Sequence, residues 1–165
     1  MDKIVMILAG LHDAEADLAR AFRKVAERQE ADEGTHYPCR ALAQQCEQCA
    51  RRVRRLARRY DEELPDRGAS DALAAAADSL QQRLAALTGR RPSQGLLLLR
   101  DLRELYLKAQ PAAVHLTLLK QAAQAVRDRE LLDEVAGLDE EIRTQLEWIR
   151  TRVREVAPQV LASQE

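Results

Sequence analysis

The feature that most constrains the fold of this chain is the spacing of its apolar residues, which recur at alternating intervals of three and four over long stretches. The most regular stripe is Leu132, Val135, Asp139, Ile142, Leu146, Ile149, Val153 and Val156, which holds a single acid. This spacing places side chains on one face of an α-helix. Only five residues are Phe, Tyr or Trp, and Ala, Leu, Glu, Gln and Arg are abundant, which also favours helix. An all-α fold is therefore predicted.

Breaks between the stripes divide the chain into four long helices and one shorter helix, at about residues 2–31, 37–64, 70–88, 94–127 and 129–156. Gly34 can adopt the left-handed conformation that ends the first helix, and Thr35 can cap the second. Asp128 can cap the last helix, and Pro158 should end it. A length of 165 residues favours one domain, so residues 1–165 are assigned to a single helical bundle.

Two acids lie on the apolar stripes, Glu15 in the first helix and Asp139 in the last. A carboxylate on an apolar helix face is costly unless another group pairs with it. His12 lies one turn before Glu15 and could be its partner. The other candidates are an arginine, a group on a facing helix, or a metal ion.

Three cysteines, Cys39, Cys46 and Cys49, fall within 11 residues on the stripe of the second helix. The simplest interpretation is core packing, because free cysteine behaves as a small apolar residue. The alternative is a thiolate site, with His36 as a further ligand, of the kind that suits zinc or copper(I). An odd number of clustered cysteines favours a reducing cytoplasm over a secreted disulfide scaffold.

The net charge of −1 does not direct the chain toward nucleic acid or a membrane. The second helix nevertheless carries a dense basic run, made of Arg51, Arg52, Arg54, Arg55, Arg58 and Arg59. Because aromatic and further basic support is missing, we interpret it as a solvated face that is salt-bridged to acids or to another subunit. The apolar residues 4–11 are too few for a membrane span.

The links between helices predict the topology. Two short links make two antiparallel hairpins, and about 30 residues join them. A connection of that length, with its own short helix, can cross the bundle lengthwise, so the second and third long helices would run in the same direction. The helical rise then places Glu15, Cys49 and Asp139 at about the same height. Without a crossing, Asp139 would be level with Cys46.

In these features the chain resembles the ferritin-like superfamily of di-iron carboxylate proteins. There, two helices each supply a glutamate and the other two each supply Glu-x-x-His. Glu15 falls at the first-helix glutamate, whereas the segments 46–49 (Cys-Glu-Gln-Cys) and 139–142 (Asp-Glu-Glu-Ile) occupy the Glu-x-x-His positions. The third-helix glutamate would fall near Ala112, Ala113 or Leu116. The resemblance implies a ferritin-like antiparallel four-helix bundle with a long crossover, and the changed residues imply that the di-iron site is not intact.

Three functions follow as hypotheses. The first is a ferritin-like bundle without an intact di-iron site, acting as a binding or structural module that self-associates. The second is a protein that binds iron, zinc or copper at an altered site drawn from Glu15, Cys46, Cys49 and Asp139. The third is an enzyme that uses the acid pair Glu15 and Asp139 in an open pocket near Pro111. No catalytic residue, substrate or small-molecule ligand is assigned.

Overall fold

The structure, a computed structural model, describes residues 3–67 and 93–163. They contain four α-helices, which we name α1 (Lys3–Arg28), α2 (Glu33–Arg58), α3 (Gln94–Val126) and α4 (Arg129–Ala162). The predicted all-α class is confirmed for these residues, and the short helix predicted at 70–88 lies outside them. None of the four helices contains a stretch that is both long and apolar enough to cross a bilayer.

Helix α1 packs beside α3, and the two run in opposite directions. Near the end of α1, Arg28 Nη2 lies 3.0 Å from Asp101 Oδ1, near the start of α3. Closer to the beginning of α1, Gly10 lies directly beneath the ring of His115, in the second half of α3. A side chain at position 10 would collide with this ring, so the glycine allows the two helices to approach closely.

Helices α2 and α4 are also neighbours with opposite directions. Arg59, just after α2, pairs with Glu130 in the first turn of α4 at 2.8 Å, and Arg152 late in α4 pairs with Asp32 just before α2 at 2.9 Å. Consequently α2 and α3 run in the same direction, and the end of α2 and the start of α3 lie at opposite ends of the bundle. Helices α1 and α4 face each other across its diagonal.

The buried core is divided into two apolar clusters, one toward each end of the bundle. On α1 the division falls between Ala14 and Leu18, and on α4 it falls between Ile142 and Ile149. Glu15 and Gln145, which are both fully buried, lie in this division. The core therefore contains a polar layer between two apolar halves.

The predictions that Gly34 ends the first helix and that Thr35 caps the second were wrong. Helix α1 ends at Arg28, and both residues lie in the first turn of α2, where no glycine has a positive φ among the residues described. The guanidinium of Arg152 lies 2.9 Å from where a Cβ on Gly34 would stand. Asp32 occupies the N-cap position, and its carboxylate binds Arg152 and accepts a hydrogen bond from the Thr35 hydroxyl. The glycine thus makes room for an ion pair.

Helix α4 continues through Pro158 to Ala162, so the prediction that this proline ends the helix was wrong. Val160 Cγ2 lies 2.6 Å from where a Cβ on Gly95 would stand, which shows how closely the last turn of α4 packs on the first turn of α3. This packing holds the extension in helical form although Pro158 has no N–H to donate.

The end of α2 differs from the prediction, whereas the start of α4 agrees with it. Helix α2 ends at Arg58 rather than near residue 64, and Asp61 then takes a positive φ of 57°, which a helix cannot contain. The predicted cap of the last helix is confirmed, because Asp128 Oδ1 accepts a hydrogen bond from the Leu131 N–H at 3.0 Å.

Candidate functional site

The candidate site is built around Glu15, whose side chain is fully buried on the inner face of α1. Its Oε2 accepts a hydrogen bond of 3.2 Å from Gln145 Nε2 on the diagonally opposite helix α4. Cys46 and Cys49 on α2 lie close enough to the carboxylate for their thiols to influence its pKa. His12 is not the partner, because its Nδ1 instead lies 3.4 Å from Asp13 Oδ1. Of the partners considered for Glu15, a group on a facing helix is the one observed.

A second acid, Glu141 of α4, extends the site toward the surface. The Cys49 thiol donates to Glu141 Oε2 at 2.7 Å, and Arg52 Nη1 donates to Glu141 Oε1 at 3.0 Å. Arg52 also binds Glu134 at 3.3 Å. We call Glu15, Cys46, Cys49, Arg52, Glu141 and Gln145 the Glu15 cluster. It joins three helices, and its one cationic member, Arg52, lies at the edge, where its side chain is 24% exposed.

Of the predicted site residues, Glu15, Cys46 and Cys49 lie near one another in the structure. Glu141 and Gln145 were not among the predicted site residues. Glu141 lies next to the apolar stripe that was chosen for the last helix, and Gln145 carries no charge that would mark it. A signal was available for Gln145, because it lies three residues after Ile142 and four before Ile149, the spacing of a core position.

The placement of Asp139 on the core stripe was wrong. Its side chain is 29% exposed and pairs with Arg143 of α4 at 2.6 Å and with Lys120 of α3 at 3.9 Å. Leu138, which is fully buried, holds the core position instead. Asp139 therefore faces the edge between α3 and α4, whereas the Glu15 cluster lies toward α2.

The electrostatics of the site follow from its burial. Burial raises the pKa of Glu15 from its ordinary value of 4.5 to about 7, and the charge of Glu141 acts in the same direction. The hydrogen bond from Gln145 and the interactions with the two thiols oppose this rise only in part. Burial, followed by the charge of Glu15, also raises the pKa of the Cys46 and Cys49 thiols well above their usual range. Both cysteines are therefore thiol donors at neutral pH, and a thiolate nucleophile is disfavoured.

The alternative thiolate site with His36 does not form around Cys39. His36 Nδ1 lies 2.7 Å from the carbonyl oxygen of Ala26, at the end of α1. Cys39 packs in the apolar cluster that contains Phe22, and burial raises the pKa of its thiol to about 12. Cys39 is thus a core residue.

Metal coordination gains no support from the donor geometry. Within residues 3–67 and 93–163, no three or more His, Cys, Asp and Glu side chains form a group that could hold a metal ion. The prediction of metal ligands at Glu15, Cys46, Cys49 and Asp139 stays a prediction. The acid pair required by the enzyme hypothesis is also not formed, because Glu15 is sealed in the core and Asp139 faces another edge.

Two buried oxygens remain without a hydrogen-bond donor in the described structure, Glu15 Oε1 and Gln145 Oε1. Both atoms are acceptors, and the hydrogen bond between the two side chains runs from Gln145 Nε2 to Glu15 Oε2. The contact therefore leaves one oxygen of each side chain without a donor.

Five of the six arginines in the basic run are paired with acids, as predicted. Its ion pairs are Arg51–Glu47, Arg52–Glu141, Arg54–Asp66, Arg58–Glu63 and Arg59–Glu130. A cleft of about 330 Å³ between α1 and α2 lies beneath part of this run, with Ala16, Ala19 and Ala50 among its lining. His12 also lines the cleft, whereas no residue of the Glu15 cluster does.

Comparison of the chain with protein-family models, with curated proteins and with solved structures finds no match.

Proposed function

We propose that this chain is a ferritin-like helical bundle that lacks an intact di-iron centre and serves as a structural or binding module. The observation that carries the proposal is the state of Glu15, at the position of the first-helix glutamate. Glu15 is fully buried, and its Oε2 already accepts a hydrogen bond from Gln145 on the opposite helix, so this oxygen is not free to bind a metal ion.

The surroundings of Glu15 support the same function. On α3, where the family has a glutamate, the buried residues are Ala112 and Leu116, whose side chains have no donor atom. On α4, Gln145 is neutral and Glu141 is engaged by Arg52 and Cys49. A metal ion would have to displace these hydrogen bonds and remove protons from thiols whose pKa is raised by burial.

The direction of the helices supports the ferritin-like part of the proposal. An arrangement in which α2 and α3 run the same way requires one long connection, which is the topology of ferritin-like bundles. The contacts of α1 with α3 and of α2 with α4 are those of such an arrangement.

Metal content is the decisive measurement for this proposal. The chain is purified without chelator, incubated separately with Fe(II), Zn(II) and Cu(I), desalted, and measured by elemental analysis. We expect metal far below one ion per chain in every case, because the cluster is held by its own hydrogen bonds.

Variants make the result specific to the Glu15 cluster. Glu15→Gln with Cys46→Ser removes two potential ligands, and Asp139→Asn is the matched control at the surface. Stoichiometric metal that is retained by the control and lost in the double variant would overturn the proposal in favour of the metal-binding hypothesis.

A further inference from the structure

The cleft between α1 and α2 has alanines at its base and charged side chains around them. Ala19 is 1% exposed, and Ala16 and Ala50 are each 8% exposed, so both helices contribute to a buried floor. Short side chains at these positions leave space that larger residues would fill. The resulting volume of about 330 Å³ lies at the lower end of the range for small-molecule sites. The cleft can therefore hold a small ligand.

Helical spacing brings the lining residues to the cleft from both sides. On each helix they are separated by intervals that keep them on one face. Two further residues of the lining, Asp66 and Arg67, come from the segment after α2. We call this site the arginine cleft, and its helical residues are His12, Ala16, Ala19 and Arg23 on α1 and Glu47, Ala50, Arg51 and Arg54 on α2.

Positive charge exceeds negative charge in the arginine cleft, because its lining among the described residues has four guanidinium groups and two carboxylates. Glu47 is shared by two of these groups, those of Arg23 on α1 and Arg51 on α2. The contact with Arg51 is 4.0 Å, which is too long for a hydrogen bond. The side chains of Arg23 and Arg51 are 44% and 60% exposed, so a ligand from solvent can reach them. One carboxylate cannot neutralise both arginines.

Arg54 has a hydrogen-bond donor that the described part of the chain does not use. Its Nη1 donates to Asp66 Oδ2 at 3.0 Å, whereas its buried Nε has no acceptor among the described residues. A buried N–H without an acceptor is costly, and an oxygen atom of a ligand in the cleft would remove that cost. The fourth guanidinium group, that of Arg67, binds Asp13 beside the cleft at 2.8 Å. The cleft is thus suited to a ligand that is rich in acceptors and negatively charged.

From this arrangement we propose that the arginine cleft binds the phosphate group of a small molecule. Guanidinium groups recognise phosphate through paired N–H donors and remain charged at any physiological pH. A phosphate group has nearly two negative charges at neutral pH, which matches the excess of guanidinium groups over carboxylates in the described lining. The inference rests on the proposed function, for which it names the class of ligand.

A long nucleic acid is a poorer occupant than a small phosphate. The side chains of Asp13 and Asp66, which pair with arginines of the cleft, are 46% and 77% exposed. These carboxylates would repel the neighbouring phosphates of a polymer that extends beyond the cleft. A small molecule that lies within the cleft avoids this repulsion.

Isothermal titration calorimetry of the whole chain tests the proposal with two probes, inorganic phosphate and glycerol 3-phosphate. We expect saturable binding of one phosphate group per chain. The probe that binds more tightly shows whether the group is bound as the free ion or on an organic molecule. Glycerol is the uncharged control and should not bind.

Two double variants that remove the same charge make the result specific to the cleft. Arg51→Gln with Arg54→Gln should raise the dissociation constant of the tighter probe at least about tenfold, because two charged donors are lost. Arg55→Gln with Arg58→Gln is the matched control on exposed positions of the same helix, outside the lining. It should change the dissociation constant less than about twofold, because solvent and salt screen exposed charges at a distance.

Ala50→Leu changes the volume of the cleft without changing its charge. The longer side chain would occupy the buried floor, so binding of the tighter probe should weaken at least about tenfold. Circular dichroism establishes whether this variant is folded. If it is not, the arginine variants decide the test, because their positions are partly or fully exposed.

Several outcomes would overturn the phosphate site. These are the absence of saturable binding of either probe, equal weakening in the two arginine double variants, or full affinity in folded Ala50→Leu. Tighter binding of succinate, a dicarboxylate, than of both phosphates would also overturn it, as would binding of a short single-stranded RNA when both probes fail. Metal content is measured separately, so failure of the phosphate site and failure of the proposed function are distinguished.

Discussion

At the scale of single residues, the buried oxygen Glu15 Oε1 has no hydrogen-bond donor when the carboxylate is charged. A proton on Glu15 Oε1 removes the buried charge and turns this acceptor into a donor. This agrees with the rise in the pKa of Glu15 to about 7. The folded chain is therefore stabilised when Glu15 is neutral.

The sign of the resulting pH dependence is fixed by the direction of the shift. Since the pKa of Glu15 rises from 4.5 to about 7 on folding, the folded chain retains a proton that the unfolded chain releases. The stability contributed by this group is complete below about pH 4.5 and is lost as the pH rises through about 7. A shift of this size corresponds to about 3 kcal/mol.

Glu15→Gln should remove this loss. A glutamine has no charge to bury at any pH, so the variant should be more stable than wild type at about pH 8, by up to about 3 kcal/mol, with a smaller difference near pH 5. Urea unfolding measured at several pH values checks this. Asp139→Asn, in a partly exposed ion pair, should leave the slope unchanged. Parallel pH profiles for wild type and Glu15→Gln would contradict the prediction.

At the scale of the helix, α4 shows how much the sequence could reveal. Its buried stripe is Leu131, Val135, Leu138, Ile142, Gln145, Ile149 and Val156. The predicted stripe has Val135, Ile142, Ile149 and Val156 in common with the buried stripe. At the positions between them it is displaced by one residue toward the C-terminus, for example to Asp139 instead of Leu138 and to Leu146 instead of Gln145. Both choices have helical spacing, and hydrophobicity alone favours Leu146 over Gln145.

The choice between these two stripes depends on contacts with other helices. Gln145 is buried because Glu15 on α1 needs a donor, and Asp139 faces outward because Lys120 on α3 and Arg143 lie there. The existence of four helices and about half of their ends follow from local patterns, which a sequence displays directly. Pairing across helices depends on rotation about the helix axis, which apolar spacing determines only to within about one residue.

The last turns of α4 give a prediction at the same scale. Val160→Ala should destabilise the bundle by about 1 kcal/mol, because this side chain packs against Gly95 and holds the helix beyond Pro158. Gln159→Ala, at the neighbouring exposed position, is the matched control and should have little effect. Chemical unfolding followed by circular dichroism measures both. Equal effects of the two substitutions would show that the turn is frayed.

At the scale of the whole molecule, four continuous helices connect the two apolar halves on either side of the polar layer. The sole tryptophan, Trp148, lies in the half that contains Phe22, with ring centroids 6.2 Å apart in an edge-to-face arrangement. Its fluorescence therefore reports on one half, whereas far-ultraviolet circular dichroism reports on all helices.

Because each helix passes through both halves, we expect them to unfold together. Urea transitions followed by tryptophan fluorescence and by circular dichroism should have the same midpoint. Phe22→Leu should lower both midpoints equally, by an amount equivalent to about 1 kcal/mol. A fluorescence midpoint that moves alone would show that the halves are separate folding units.

The hydrogen bond between Glu15 and Gln145 crosses the diagonal of the bundle, between two helices that otherwise have little contact. If α4 slid by one turn, about 5.4 Å, Glu15 would lie opposite Ile142 or Ile149 and would lose its donor inside an apolar core. Sliding in either direction is penalised, whereas an all-leucine seam would tolerate it. A single pair of polar side chains thus selects one axial alignment of α1 and α4.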